Sequence, residues 1–420
     1  MRTTLATAVL GIVCTLPVHA QESPAYVALP AVADVERVLA DYPPVKAARD
    51  NVRFERANAR RLQAGPYEFA IRGGYQSHSI PNGRYPEWDI GVERAIRLPG
   101  KARVDGALGA QGVELATRSA YSAWCDGARL LLKLWFGWAR ESIQLELVQQ
   151  QGEFLRQQQV VVTRRAKVGD APRVEVNLAE ASVAQAEANA EALKGREIGA
   201  RSALERTFPG LPVPAHAPLG DPRPLDGNLD FYLDRVRLHN DEVRVARAIT
   251  RRSRLLAERA QADRTPDPAV GVRLSNDRSA IDRSAGVYVI VPLPGEARRA
   301  VSDGVRAQSD AALNHEAAVL QRVTADVAMM VGQAQGAYAA WQRSRSAAEG
   351  MARNAESMAR SWQLKEASLS DVVLARRLAV ESALSAALAR IEAEESRYRL
   401  LVEAHVLWND PEEEAGEHPD

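Results

Sequence analysis

The most constraining feature of this chain is that its sequence pattern occurs twice. One element, Leu98-Pro99-Gly100-Lys101-Ala102-Arg103, returns about 195 residues later as Leu293-Pro294-Gly295-Glu296-Ala297-Arg298. Two further matches keep the same order at nearly the same offset: residues 45–49 with 243–247, and residues 174–179 with 370–375. Solenoid repeats span only about 20–50 residues, so a period of this length indicates a duplicated domain. We therefore expect two similar halves.

The first 20 residues are typical of a secretory signal. A short positive start precedes an apolar stretch, and Val18-His19-Ala20 offers a small-residue cleavage site. Because bulky Val13 precedes Cys14, we predict that the protein is not lipidated. After cleavage Cys125 is the sole cysteine, so we expect no intrachain disulfide and no cysteine-based metal site. A buried thiol that packs as a small apolar group is the expected role of Cys125.

Charge and missing motifs exclude several function classes. The chain has 54 basic and 54 acidic residues, and this neutrality argues against a nucleic-acid partner. The sequence contains no HExxH, no GxSxG and no phosphate loop, and its seven histidines lack metal-ligand spacing. We therefore predict that the protein is not an enzyme and has neither a cofactor nor a metal. The mature chain also lacks a run of about 18 apolar residues, so we predict no transmembrane helix.

Each half is predicted to contain a helix, two strands joined by a polar turn, a very long helix, a break and another long helix. The hairpins are expected at 67–97 and 269–293, where apolar and polar residues alternate. Strands of about 10 residues cross a bilayer when tilted, although a soluble sheet packed on helices shows the same periodicity. Four strands cannot close a barrel alone, so a spanning sheet requires several chains.

The long helices are predicted at about 101–165 and 297–367, with partners at about 172–208 and 371–405. Their apolar residues recur at the spacing of a coiled coil. The helix at 45–64 and the helix after the break have a combined length near that of the long helix, so we expect them to stack end to end beside it. The predicted division is a first repeat at 21–207, a linker at 208–230, a second repeat at 231–408 and a solvated, mobile acidic tail at 409–420.

This duplicated plan resembles the TolC family of outer-membrane efflux proteins. The element around Lys101 is similar to the one that opens the long helix in the family's heavy-metal-type, CzcC-like branch, although Ala102 interrupts it and Glu296 replaces the lysine in the second copy. The resemblance implies a mainly α fold with a small β part. In it, long antiparallel helices form a trimeric α-barrel, and four strands per chain contribute to a 12-stranded outer-membrane β-barrel.

The resemblance also implies a function. A homotrimer of this kind is an exit duct in the outer membrane that extends into the periplasm and performs no chemistry. It is engaged by a periplasmic adaptor protein and an inner-membrane pump, and it exports small solutes, with heavy-metal cations as one candidate cargo. A second hypothesis, from a different class, is a soluble periplasmic coiled-coil scaffold or adaptor. That hypothesis does not require two spanning hairpins with aromatic residues near their ends.

The family's mouth is closed by inter-helix turns, which correspond here to residues 167–176 and 365–374. The candidate gate residues in these turns are Asp371, Asp170 and Glu175. Asp371 falls on the family's tip aspartate, whereas Leu374 occupies the second acidic position. Three copies of Asp371 at a constriction would attract cations. The alternative role for Asp371 is an ordinary helix N-cap, and the two roles are compatible.

Overall fold

The computed structural model describes residues 28–413, except residues 82, 278–281 and 365. The predicted signal peptide therefore lies outside the described residues. The first half contains α1 (Val32–Asp41), α2 (Pro43–Ala64), β1 (Ala70–Ile80), β2 (Gly83–Ala95), α3 (Pro99–Lys167) and α4 (Arg173–Thr207). The second half contains α5 (Leu229–His239), α6 (Asp241–Ala262), β3 (Ala269–Asp277), β4 (Asp282–Ile290), α7 (Glu296–Gln363) and α8 (Leu369–Glu403).

The two halves have the same order of elements, which confirms the predicted duplication. Each half also begins with a short helix, α1 or α5, that the sequence analysis did not predict. The start of α5 lies inside the predicted linker at 208–230. Both short helices bury apolar side chains in the core, Val35 and Leu39 from α1 and Tyr232 from α5. Their stability therefore comes from tertiary packing.

The helices stack end to end as predicted. In the first half, α2 and α4 both pack against the uninterrupted α3. The rings of Phe208, which follows α4, and Tyr42, which precedes α2, have centroids 5.2 Å apart. Near the sheet, a Cβ atom on Gly109 would lie 2.9 Å from the Cα atom of Ala59, so this close approach of α3 and α2 requires glycine. The pair α8 and α6 packs in the same way against α7.

The four helical columns form one wall. In order they are α4 with α2, then α3, then α8 with α6, and finally α7. The main hydrophobic core lies where the stacked helices meet, around Trp124, Trp135 and Trp138 of α3. The indole N–H group of Trp124 donates to the backbone carbonyl of Trp408, and that of Trp135 donates to the backbone carbonyl of Ala28, each at 2.8 Å.

Within the described ranges, no helix is both long enough and apolar enough to cross a membrane.

Two parts of the predicted secondary structure are wrong. Strand β4 ends at Ile290, so Val291 and Leu293 lie beyond the strand to which we assigned them. The acidic tail does not begin at 409, because Asp410 and Glu413 are buried. Asp410 lies 3.2 Å from the guanidinium of Arg49, and Glu413 pairs with arginines of α3 and α6. These ion pairs hold residues 410–413 against the helices, and residues 414–420 lie outside the described part of the chain.

A buried charge cluster joins the sheet to the helices. The ammonium of Lys101, only 2% exposed, lies 3.0 Å from the carboxylate of Asp267 and 3.2 Å from that of Asp263. Asp267 also accepts hydrogen bonds from the Tyr67 hydroxyl at 2.5 Å and the Leu98 amide at 3.1 Å. Burial opposes ionisation of Asp267, but the hydrogen bonds and the ammonium keep its pKa below the ordinary value. These contacts attach the first repeat to the segment that precedes β3 in the second repeat.

We predict that Lys101→Met lowers the free energy of unfolding by about 3 kcal/mol, because it leaves the buried Asp267 carboxylate without its cation. Urea denaturation in mild detergent measures the change. Lys46→Met is the matched control, since Lys46 forms an exposed ion pair with Asp41 at 2.8 Å, and such pairs contribute about 0–1 kcal/mol. Equal, small effects of both variants would contradict a structural role for the buried pair.

Candidate functional site

The four strands form one antiparallel sheet in the order β1-β2-β3-β4, and one face of this sheet is apolar. The register places Ile71, Val92, Val272 and Val287 in a row across all four strands. Although they are apolar, all four side chains are exposed, from 42% for Val92 to 85% for Val287. Further exposed apolar residues on the same face are Tyr75, Trp88, Ile90, Val270, Leu274 and Val289. The sheet therefore presents a continuous apolar surface that residues 28–413, as far as the structure describes them, do not cover.

The opposite face of the sheet is polar and internally paired. The Glu93 carboxylate accepts hydrogen bonds from Arg72 at 3.1 Å and from the Tyr288 hydroxyl at 2.6 Å. Gln76 donates to Glu87 at 2.7 Å, further along the same face. The alternation in the sequence predicted the existence of two faces, but it did not single out Glu93 or Tyr288. Their pairing depends on strand register, because Tyr288 reaches Glu93 across β3.

The two helix tips lie at the opposite end of the wall from the sheet. At the first tip, between α3 and α4, the Asp170 carboxylate pairs with Arg165 at 3.0 Å. The guanidinium carbon of Arg165 also lies 5.3 Å from the centre of the Trp362 ring at the end of α7. The ends of α3 and α7, which lead into the two predicted gate segments, therefore lie close together at one end of the wall. Lys365, the first residue of the second predicted segment, lies outside the described residues.

Asp371 forms a capping box at the start of α8. Its carboxylate accepts hydrogen bonds from the Ser368 amide at 3.1 Å and the Ser368 hydroxyl at 2.7 Å. The Asp371 amide donates in return to the Ser368 hydroxyl at 3.2 Å. Both hydrogen bonds to the carboxylate lower the pKa of Asp371, and the bond from the Ser368 hydroxyl has the larger effect. Ser368 is therefore the N-cap residue, and Asp371 takes part in capping from the N3 position instead of acting as the N-cap itself. The Asp371 carboxylate remains exposed and ionised at the tip.

Glu175, the third candidate gate residue, is half-buried in the first turn of α4. One of its carboxylate oxygens is buried and accepts no hydrogen bond from the described residues. Its position therefore differs from that of the exposed Asp371. Asp170 and Glu175 lie at the same inter-helix turn, but neither forms a capping box like that of Asp371.

The two copies of the repeat motif have different environments. In the first copy Leu98 caps α3, Pro99 and Gly100 open the helix, Lys101 is buried and Arg103 is exposed. In the second copy every residue is exposed in the single chain, namely Leu293, Pro294, Gly295, Glu296, Ala297 and Arg298. In the first copy Pro99 and Gly100 are also exposed, so the difference between the copies lies mainly at Lys101, which is buried against the second repeat, and at the matching Glu296, which is exposed.

Comparison with known proteins identifies the fold. No protein-family model matches the chain, and no curated protein sequence matches it. Among solved structures, the outer membrane protein VceC of Vibrio cholerae matches with a TM-score of 0.72 at 14% identity, covering 90% of this chain and 96% of that chain. The CmeC outer membrane channel of Campylobacter jejuni matches with a TM-score of 0.76 at 11% identity, covering 99% and 97%.

The MtrE outer membrane channel of Neisseria gonorrhoeae matches with a TM-score of 0.64 at 14% identity, and 91% of each chain is covered. At these identities the likeness defines the fold, and it extends over nearly the whole length of both partners. The predicted fold class, long helices with a small four-stranded sheet, is confirmed. The chain therefore has the fold of these outer-membrane channels.

Proposed function

We propose that this chain is one protomer of a trimeric outer-membrane channel of the TolC family. The observation that carries the proposal is the exposed apolar face that crosses all four strands of a sheet with two unpaired edges. Lipid can cover this face, while the polar face lines an aqueous interior. The soluble scaffold hypothesis gives no reason for such a face, because a soluble sheet would bury it against helices.

The hydrogen-bonding requirement of the membrane calls for closure of the sheet by several copies, and the family resemblance implies that there are three. Strands β1 and β4 lie at the edges of the sheet, and unpaired backbone groups are not tolerated in hydrocarbon. Three four-stranded sheets joined edge to edge would close one barrel. The helical wall also supports a trimer. The exposed second motif copy, at the start of α7, would be covered by the first repeat of the next protomer. We retain the proposed division into repeats at 21–207 and 231–408 as the units of this assembly.

The proposed system is tripartite. The channel would receive small solutes through a periplasmic adaptor protein and an inner-membrane pump, as the family resemblance implies, and would release them outside the cell. A cargo of heavy-metal cations is proposed from the similarity of Lys101-Ala102-Arg103 to the CzcC-like branch. The exposed, ionised Asp371 at the helix tip is compatible with the passage of cations.

We predict that the full-length protein purified in detergent contains three chains. Closure of the sheet requires strands from neighbouring copies, so the trimer is expected to persist once the protein is extracted. Light scattering corrected for bound detergent measures the protein mass. A stable monomer that stays in solution without detergent would exclude the proposed barrel.

The proposal also predicts the orientation of the protein in the membrane. Because native Cys125 is buried, a thiol introduced by Arg84→Cys at the exposed start of β2, beside the β1–β2 turn, can be labelled alone. A membrane-impermeant maleimide should label it on intact cells, since polar turns lie outside the apolar band. Glu366→Cys at the exposed helix tip is the control and should react only after the outer membrane is permeabilised. The reverse pattern would show that the orientation is wrong.

The gate hypothesis predicts that Asp371→Asn lowers the preference for cations in single-channel recordings. Three carboxylates in a narrow mouth attract cations, and the amide removes that charge while it keeps the shape. The matched control is Ser368→Ala, which removes the hydroxyl of the capping box but leaves the Asp371 charge in place. If the two variants have the same ion selectivity as the unmodified channel, Asp371 acts only as a helix cap.

A further inference from the structure

Three buried side chains with metal-binding atoms meet at the junction of the two repeats. A sulfur of Cys125, a carboxylate oxygen of Asp241 and an imidazole nitrogen of His405 all lie within 4.8 Å of one another. Cys125 belongs to α3, Asp241 is the first residue of α6, and His405 follows the end of α8. The cluster lies in the wall of stacked helices, remote from both the sheet and the helix tips.

The Asp241 carboxylate indicates that this cluster is more than ordinary packing. Asp241 is 1% exposed, and neither of its oxygens accepts a hydrogen bond of normal geometry from the described residues. Buried carboxylates in folded proteins are normally hydrogen-bonded or bound to a cation. A cation bound by Asp241 together with Cys125 and His405 would satisfy the Asp241 carboxylate.

The geometry agrees with one small divalent ion. The Nε2 atom of His405 lies 3.4 Å from Oδ2 of Asp241. Nitrogen and oxygen ligands at about 2.0–2.1 Å from a tetrahedral Zn²⁺ are themselves separated by about 3.4 Å. The other ring nitrogen of His405, Nδ1, lies 3.8 Å from the buried Glu413. A carboxylate behind a metal-bound histidine is a common arrangement, because it fixes the orientation of the ring.

The conformation of His405 follows from the end of α8. Its φ of 51° lies in the left-handed region. The His405 amide donates to the Val402 carbonyl at 3.1 Å and the Val406 amide donates to the Leu401 carbonyl at 2.9 Å, which is a common way for a helix to end. The turn that results places the imidazole beside Asp241.

Contrary to the expectation from the sequence that the protein binds no metal, we propose that Cys125, Asp241 and His405 bind one borderline divalent cation of the Zn²⁺ class. One thiolate, one imidazole and one carboxylate form a ligand set typical of zinc, and water would supply the fourth ligand. The thiol releases its proton as the metal–sulfur bond forms. The ion would connect α3 of the first repeat to the junction where the end of α8 meets the start of α6. It is a structural ion in the wall of the fold, so this site does not depend on the proposed transport function.

The test uses full-length protein in detergent after removal of bound metal with a chelator. Titration with Co²⁺ should give one equivalent per chain and a sulfur-to-cobalt charge-transfer absorption, and Zn²⁺ should displace the cobalt. Cys125→Ser should abolish this absorption. Asp241→Asn and His405→Gln should each weaken binding of Zn²⁺ more than about tenfold, as loss of even a supporting residue does at metal sites. The control is His216→Gln, an exposed histidine whose replacement should change neither binding nor absorption.

The proposal is overturned if one equivalent of Co²⁺ produces no sulfur-to-metal absorption in the unmodified protein. Retention of that absorption in Cys125→Ser would equally contradict it. Since Cys125→Ser exchanges one atom, it decides the question even if Asp241→Asn or His405→Gln fails to fold. Circular dichroism of each variant separates loss of the site from loss of the structure.

Discussion

The rest of this structure depends on a sheet whose apolar face is exposed and whose two edges are unpaired. In hydrocarbon every backbone N–H and C=O group must be hydrogen-bonded within protein, so an open four-stranded sheet cannot remain in a membrane alone. The exposed side chains of Ile71 and Val287, at opposite edges, continue the apolar surface to the place where another sheet would join. In the proposed assembly, closure by neighbouring copies would pair both edges and complete the apolar surface, and the helical columns would continue the wall of one duct.

The duplication explains how one chain builds four helical columns, and its asymmetry shows where neighbouring copies belong. Lys101 opens α3 and is buried against Asp267 of the second repeat, at 3.0 Å. Glu296 opens α7 at the matching position, is exposed and pairs only loosely with Arg299, at 3.7 Å. Duplicated positions diverge when their surroundings differ. The first is an interior contact within the chain, whereas the second lies on the side that a neighbouring protomer would cover.

Sequence periodicity predicted the duplication, the two hairpins, the long helices and their stacking, because these depend on local patterns repeated over many residues. It missed α1 and α5, which are short and are stabilised by the core they join. It also assigned Asp410 and Glu413 to a solvated tail, since their acidic composition concealed arginine partners far away in the chain. Asp371 was identified in advance because it falls on the tip aspartate of the family that the sequence resembles. The cluster of Cys125, Asp241 and His405 was not identified in advance, because no local pattern in the sequence connects three distant segments.

Amide hydrogen exchange of the detergent-solubilised protein, read by peptides that cover β1 and β4, tests closure of the sheet most directly. In an isolated sheet the outward-facing amides of these edge strands have no partner, whereas closure pairs them with neighbouring copies. The account predicts that β1 and β4 exchange as slowly as the inner strands β2 and β3. Rapid exchange of the outward-facing edge amides, with β2 and β3 still protected, would contradict a closed barrel.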